Sequence, residues 1–127
     1  MDSNPHKSRS GLERIIRATG YSMRGLVAAY TGEKAFRQEC WLAAVLLPAS
    51  LWLGRTWVET VLLAGSVMLL LIVELLNSSV EAVVDRVSYE LHPLSKRAKD
   101  IASAAVFLAV SLCAVVWLAA LWHRFAG

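Results

Sequence analysis

From Ile101 to Trp122 the chain carries no charged side chain. A run of that length matches the roughly 20 residues a helix needs to cross a bilayer's hydrocarbon core. No water is available there, so every backbone N–H and C=O must be satisfied within the segment, and an unbroken helix does this. Two further apolar runs come before it. Cys40–Leu53 (CWLAAVLLPASLWL) is short for a span, but extended back to Ala35 and forward to Trp57 it suffices, with Pro48 bending it. Thr60–Val84 is long enough to cross, although Glu74, Asn77 and Glu81 interrupt it. With 57% hydrophobic and only 18% charged residues, the chain is too poor in polar groups to clothe a soluble core. The sequence therefore predicts an all-α membrane protein, one domain over 1–127, with spans at 35–57, 58–86 and 98–123. In the last span Ala105, Ala109 and Cys113 recur at every fourth position, which suits close helix contact in lipid.

The segment before the spans has a different pattern. Residues 1–10 (MDSNPHKSRS) are polar, which predicts a mobile N-terminus and no cleavable signal peptide. From Leu12 to Tyr30, apolar side chains at Leu12, Ile15, Ile16, Met23, Leu26 and Val27 mark one helical face, with Arg14, Arg17 and Arg24 largely off it. Ser10 and Glu13 fit a capping box that would start this helix. A basic amphipathic helix over 11–31, ahead of a hydrophobic run, is expected to lie on the membrane surface. Of the 13 Lys and Arg residues, eleven lie either up to the entry of the first span, ending at Arg37, or from the exit of the second span at Arg86 up to Lys99; only Arg55 and Arg124 lie on the other side. The positive-inside rule then places the N-terminus in the cytoplasm and the C-terminus outside, in the periplasm. The net charge of +3 fits contact with anionic lipid headgroups. No nucleic-acid module accompanies it.

Several chemistries are unsupported. Cys40 and Cys113 both lie in apolar runs, without a C-x-x-C, and are expected to be packing residues. His6, His92 and His123 lack metal-ligand spacing. Gly20 to Gly25 opens like a phosphate loop, but Leu26 and Val27 stand where Lys and Ser/Thr are required.

One stretch does point to chemistry. On a helix turning about 100° per residue, Glu74, Asn77, Ser78, Glu81 and Asp85 fall within a window of about 100°. Val73, Leu75, Leu76, Val80, Val83 and Val84 cover the rest. Each carboxylate at membrane depth costs about 2.5–3.5 kcal/mol on insertion scales. Asp85 could reach the interface and Asn77 could bond a partner helix. Glu74 and Glu81 together fit what a general base or a divalent-metal site requires. The charges in 33–39 (EKAFRQE) are by themselves a solvated boundary, and those in 95–103 (SKRAKDIAS) are by themselves topology signals.

Four blocks in order, RIIRATGYSMRGL (14–26), EKAFRQE (33–39), VELLNSSVEAVVDR (73–86) and LSKRAKDIASAAV (94–106), closely resemble the bacterial integral membrane diacylglycerol kinases. The likeness spans nearly all of the chain past residue 10. It implies a homotrimer of three-span subunits in the bacterial inner membrane. Its expected reaction is phosphorylation of the primary hydroxyl of diacylglycerol by MgATP, giving phosphatidic acid for phospholipid recycling. By matching position, the resemblance makes Glu74 the catalytic base and Glu33 and Glu81 the Mg2+ ligands. Arg14, Tyr21, Glu90, His92, Lys99 and Asp100, with Glu33 and Glu81, become the nucleotide set. The lipid substrate is assigned to Arg14, positions from Ala18 to Tyr30, Ala35, Phe36, Arg37, Gln38, Glu39, Glu74 and Ser103. Asn77 and Asp85 are expected to support the site.

The chain departs from the family pattern at Met23, an aromatic position, at Lys34, a small-residue position beside Glu33, and at Pro93 in the cytoplasmic loop. Two other functions stay open. A polyprenol kinase acting on undecaprenol would use the same machinery, although the surface-helix block is closer to the diacylglycerol branch. A non-catalytic ion conduit would explain the carboxylate stripe, but it leaves Glu33 and Arg97–Asp100 without a role.

Overall fold

A computed structural model describes residues 10–87 and 92–126. The expected mobile N-terminus up to Arg9, and Glu90 of the nucleotide set, lie outside the described residues. Four helices make up the fold: α1 Ser10–Gly32, α2 Lys34–Leu53, α3 Trp57–Val87 and α4 Pro93–Phe125. Among the described residues there is no strand. α3 and α4 are each long and apolar enough to cross a membrane. α2, with 20 residues and with Lys34, Arg37 and Glu39 in its first two turns, does not reach that apolarity. The molecule is an all-α membrane protein.

α1 shows why it is separate from the bundle. Its apolar face is bare, with Leu12, Ile15, Ile16 and Val27 each more than 60% exposed, and Ala29 is its only buried residue among those described. A soluble helix would bury that stripe, whereas one lying in a lipid interface leaves it for acyl chains.

The sequence carries the first span on to Trp57, but α2 stops at Leu53. The reason is Gly54, where a Cβ would overlap Thr60 Oγ1 and sit 2.8 Å from the Thr60 nitrogen. Only a residue without a side chain lets α3 start that close. Thr56 Oγ1 accepts from Glu59 N at 3.1 Å, satisfying one orphan amide of the first turn of α3, and the Glu59 carboxylate accepts from Arg55 N, just before the helix, at 3.0 Å. Pro93, expected to interrupt a loop, instead sits at the start of α4, where its missing N–H costs nothing.

Two helix ends borrow their caps from other helices. Neither α1 nor α2 has a basic residue in its last turn. Arg37 of α2 donates to the carbonyls of Tyr30 and Thr31 at 2.7 and 3.3 Å, closing the end of α1. Arg124 of α4 donates to those of Trp52 and Leu53 at 3.2 and 3.3 Å, with its guanidinium over the Trp52 ring. Each cation meets the negative end of a helix dipole.

α3 packs most extensively on α4 and next on α2. Ala43, Val67 and Cys113 form the buried centre, ringed by Leu46, Leu47, Leu71 and Trp117. Ala109 and Cys113 of the small-residue repeat are buried there, while Ala105 is exposed. Trp117 Nε1 donates to the Leu63 carbonyl at 3.2 Å, so its indole is satisfied. With 31 and 33 residues, α3 and α4 are about 45–50 Å long, well beyond the roughly 30 Å hydrocarbon core. Each is therefore long enough to extend past the apolar zone, and the polar stripe of α3 occupies its C-terminal part, ending at Asp85.

Candidate active site

The stripe is built by α3 and met by one residue from each flanking helix. Glu74 is the deepest, only 6% exposed. The Glu39 side chain reaches it from α2, close enough for the two carboxyl groups to hydrogen-bond. One turn on, Asn77 Nδ2 donates to Glu81 Oε2 at 3.5 Å, while Asn77 Oδ1 and the Ser78 hydroxyl are buried without partners. At the outer end Asp85 Oδ1 and Lys99 Nζ are 2.7 Å apart, joining α3 to α4, with Glu81 within electrostatic reach of the same ammonium. From Glu74 to Asp85 the stripe climbs about 16 Å along the helix axis.

Glu33 occupies the N-cap position of α2 at the elbow with α1, its side chain making no cap hydrogen bond. Its amide donates to the Ala29 carbonyl at 2.8 Å and its carbonyl accepts from Arg37 N at 3.1 Å, so its backbone is pinned. Together with Ser22, Gly25 and Leu26 of α1 and Leu75 and Ser78 of α3, it lines a cavity of about 550 Å3. Glu81 lies three residues beyond Ser78, about 4.5 Å further along the axis. Among the described residues no group of three or more His, Cys, Asp or Glu side chains could hold a metal ion. A magnesium ion does not need such a group, since it is usually held by one or two carboxylates plus phosphate oxygens and water. The unpartnered Asn77 Oδ1 beside Glu81 is a spare hard-oxygen donor. Glu33 on the cavity wall, and Asn77 and Glu81 on α3, are the hard-oxygen donors that such an ion could take.

Other assigned residues lie elsewhere. Arg14, Ala18 and Tyr21 share a concavity on α1 with Gly11, Ile15 and Arg17, and the Arg24 guanidinium sits 4.9 Å over the Tyr21 ring. Asp100 turns away from the Asp85–Lys99 pair and bonds Lys96 Nζ at 2.8 Å. Successive helical residues point about 100° apart, so neighbours in sequence need not share a site. That hydrogen bond, with the carboxylate's charge, holds the exposed Lys96 ammonium above its ordinary pKa. His92 has a local task, its Nδ1 accepting from Leu94 N at 3.0 Å as the N-cap of α4. Phe36, assigned to the lipid surface, is buried at 3% exposure, whereas Ala35, Gln38 and Ser103 are exposed. The guanidinium of Arg37 is engaged in capping α1.

The contact between Glu39 and Glu74 is what the sequence reading missed. Glu39 lies three residues after Phe36 and four before Ala43, on the buried stripe of α2. A carboxylate at a core position of an apolar periodicity was the available signal.

Comparison with known proteins identifies the family. Residues 20–121 match the family model described as prokaryotic diacylglycerol kinase. A protein of Pseudomonas aeruginosa named diacylglycerol kinase is 51% identical over 92% of this chain and 95% of its own length. Relatives of the same name are 49% identical in Haemophilus influenzae, over 85% of this chain and 92% of the relative, and 48% identical in Escherichia coli, over 91% and 95%. The chain therefore belongs to the prokaryotic diacylglycerol kinase family.

Proposed function

We propose that this protein transfers the γ-phosphate of ATP to the primary hydroxyl of 1,2-diacylglycerol, giving phosphatidic acid and ADP. The carrying observation is Glu74, a buried carboxylate on an apolar helix, at the inner end of a polar stripe that leads out to Lys99. Such a stripe suits two substrates that do not mix. Diacylglycerol stays in lipid and presents its hydroxyl from the membrane side, while ATP approaches from water.

In this reading Glu74 takes the proton of the attacking hydroxyl. Lys99 shifts from Asp85 toward the transferring phosphate, where a cation offsets developing charge. Glu33, Glu81 and Asn77 Oδ1 would hold Mg2+. When bound, Mg2+ neutralises phosphate charge in a site of low dielectric. Nucleotide contacts are assigned to Arg14 and Tyr21 in the α1 concavity and to Asp100 and His92 at the start of α4. The exposed apolar faces of α3 and α4 support packing with lipid and with two further copies in a homotrimer.

The test is phosphate transfer in mixed micelles, with diacylglycerol and undecaprenol offered side by side. Transfer to diacylglycerol at least tenfold faster is the expected result. Preference for undecaprenol would reassign the substrate, and no ATP-dependent transfer to either would reject a lipid kinase in favour of a conduit.

The orientation proposed is three spans in the bacterial inner membrane, with the N-terminus cytoplasmic and the C-terminus periplasmic. Its support is the placement of eleven of 13 basic residues on one side. A reporter fused after Gly127 should register as periplasmic, and one inserted between residues 88 and 96 as cytoplasmic. Finding both on the same side would remove the three-span arrangement.

A further inference from the structure

We propose that Glu39 is the positioning residue for Glu74, holding the single proton that the two touching carboxyls share and donating it as a hydrogen bond to the Glu74 carboxylate. The inference rests on the reading of Glu74 as the base.

The starting point is a juxtaposition that is costly unless a proton resolves it. The Glu39 and Glu74 side chains lie within hydrogen-bonding distance, Glu74 is buried, and Glu39 Oε1 is buried without a hydrogen-bond partner. Two carboxylates at that distance in a medium of low dielectric cannot both stay ionised without a cation. Three cations of the flanking helices are committed elsewhere. The Arg37 guanidinium serves the Tyr30 and Thr31 carbonyls, Lys99 pairs with Asp85, and Lys96 pairs with Asp100. The Asn77 amide, the next donor along α3, is directed to Glu81. Among the described residues no ion pair reaches either carboxyl. A carboxyl–carboxylate hydrogen bond is the arrangement that satisfies both.

The roles follow from where each side chain starts. Glu74 lies on the stripe with Asn77 and Glu81, along which the phosphate donor would be aligned. Glu39 comes from α2, anchored by its buried neighbours Phe36 and Ala43. It therefore fixes one Glu74 oxygen and leaves the other to the substrate. In the transfer, the diacylglycerol O–H bond breaks and its proton goes to the free Glu74 oxygen. The hydroxyl oxygen bonds to the γ-phosphorus, and the bond from that phosphorus to the bridging oxygen breaks, its electron pair leaving with ADP. The pair then holds two protons and returns one to water.

A glutamine at position 39 separates this role from the alternatives, because its amide N–H can donate as the protonated carboxyl does. Glu39→Gln, Glu39→Ala and Glu74→Gln are purified in the same detergent and compared for kcat, for KM for diacylglycerol, and for melting temperature. Glu39→Gln is expected to keep kcat within about threefold, and Glu39→Ala to lose about tenfold or more with little change in KM. Infrared spectra of the parent should show the carbonyl band of a buried protonated carboxyl, and Glu39→Gln should lack it. Persistence of that band in Glu39→Gln, or a kcat as low in Glu39→Gln as in Glu39→Ala, overturns the proposal. A raised KM at unchanged kcat in both variants also overturns it, making Glu39 a lipid contact only. The base reading fails separately, on an active Glu74→Gln. If Glu39→Gln is then the inactive variant, the two roles are exchanged and the proposal falls with that reading.

Discussion

Replacing Glu74 by glutamine is expected to lower turnover by roughly 10²-fold or more while ATP affinity changes little. Gln matches the shape of Glu and keeps an oxygen and a donor within reach of Glu39, so the geometry around it is preserved. It cannot accept the substrate's proton. Stability moves the other way or stays level. Glu74 is 6% exposed inside an apolar helix, and a neutral amide is cheaper to hold there than a carboxylate. The combination of lost turnover with an unchanged or higher melting temperature separates a chemical role from a packing role. A structural polar residue would lose stability first and activity as a consequence. Turnover in mixed micelles, nucleotide titration and thermal melts on the same preparation provide the three readings. Near-normal turnover would leave Glu74 as a packing or conduit residue and would remove the mechanism proposed above.

The parts of the molecule legible in the sequence are those governed by local periodicity. The polar line from Glu74 to Asp85 and the bare face of α1 both follow from 3.6 residues per turn, and the helices present them as expected. What was not legible depends on contacts between helices. Nothing in the order of residues says that Arg37 closes α1 or that Arg124 closes α2, because each cap comes from a different element than the end it serves. The end of α2 was hidden because the apolar run Cys40–Leu53 is short for a span and was carried on through Gly54, Arg55 and Thr56 to Trp57, and only the close approach of Thr60 explains Gly54.

Matching by position had a different weakness. It transfers a role to a residue without its side-chain direction. Phe36, which the resemblance gives to the lipid side, is buried within the chain, and Asp100, which it gives to the nucleotide with Lys99, pairs with Lys96. Glu39 shows the same effect in the useful direction. It was assigned to the lipid, and its side chain lies on the very group proposed to do the chemistry.

Glu81→Ala and Glu33→Ala are each expected to raise the magnesium concentration for half-maximal activity by about tenfold, or to abolish activity, with the oligomer intact. The reasoning begins from ligand count. A magnesium ion demands oxygen ligands in near-octahedral geometry, and no described trio of acidic side chains surrounds one here. Each carboxylate is therefore a large share of the protein's contribution, and losing one cannot be compensated by a neighbour. Glu33 is set on the pinned elbow between α1 and α2, and Glu81 on the rigid α3, so neither alanine variant disturbs a buried packing contact. The Asn77–Glu81 contact at 3.5 Å is long, and its loss should leave the melting temperature within a few degrees. Asn77→Ala, which removes the orphan Oδ1, should shift the magnesium requirement in the same direction but less, because it removes a neutral ligand. Asp85→Asn is the contrasting variant. It frees Lys99 without removing a proposed ligand, so it should leave the magnesium requirement where it was. Manganese binding followed by electron paramagnetic resonance, with a non-hydrolysable ATP analogue present, measures the site without relying on turnover. Unchanged metal dependence in both glutamate variants would reject the assignment. A shift in Asp85→Asn equal to theirs would show that the requirement follows the charge of the whole stripe, with no defined pair of ligands.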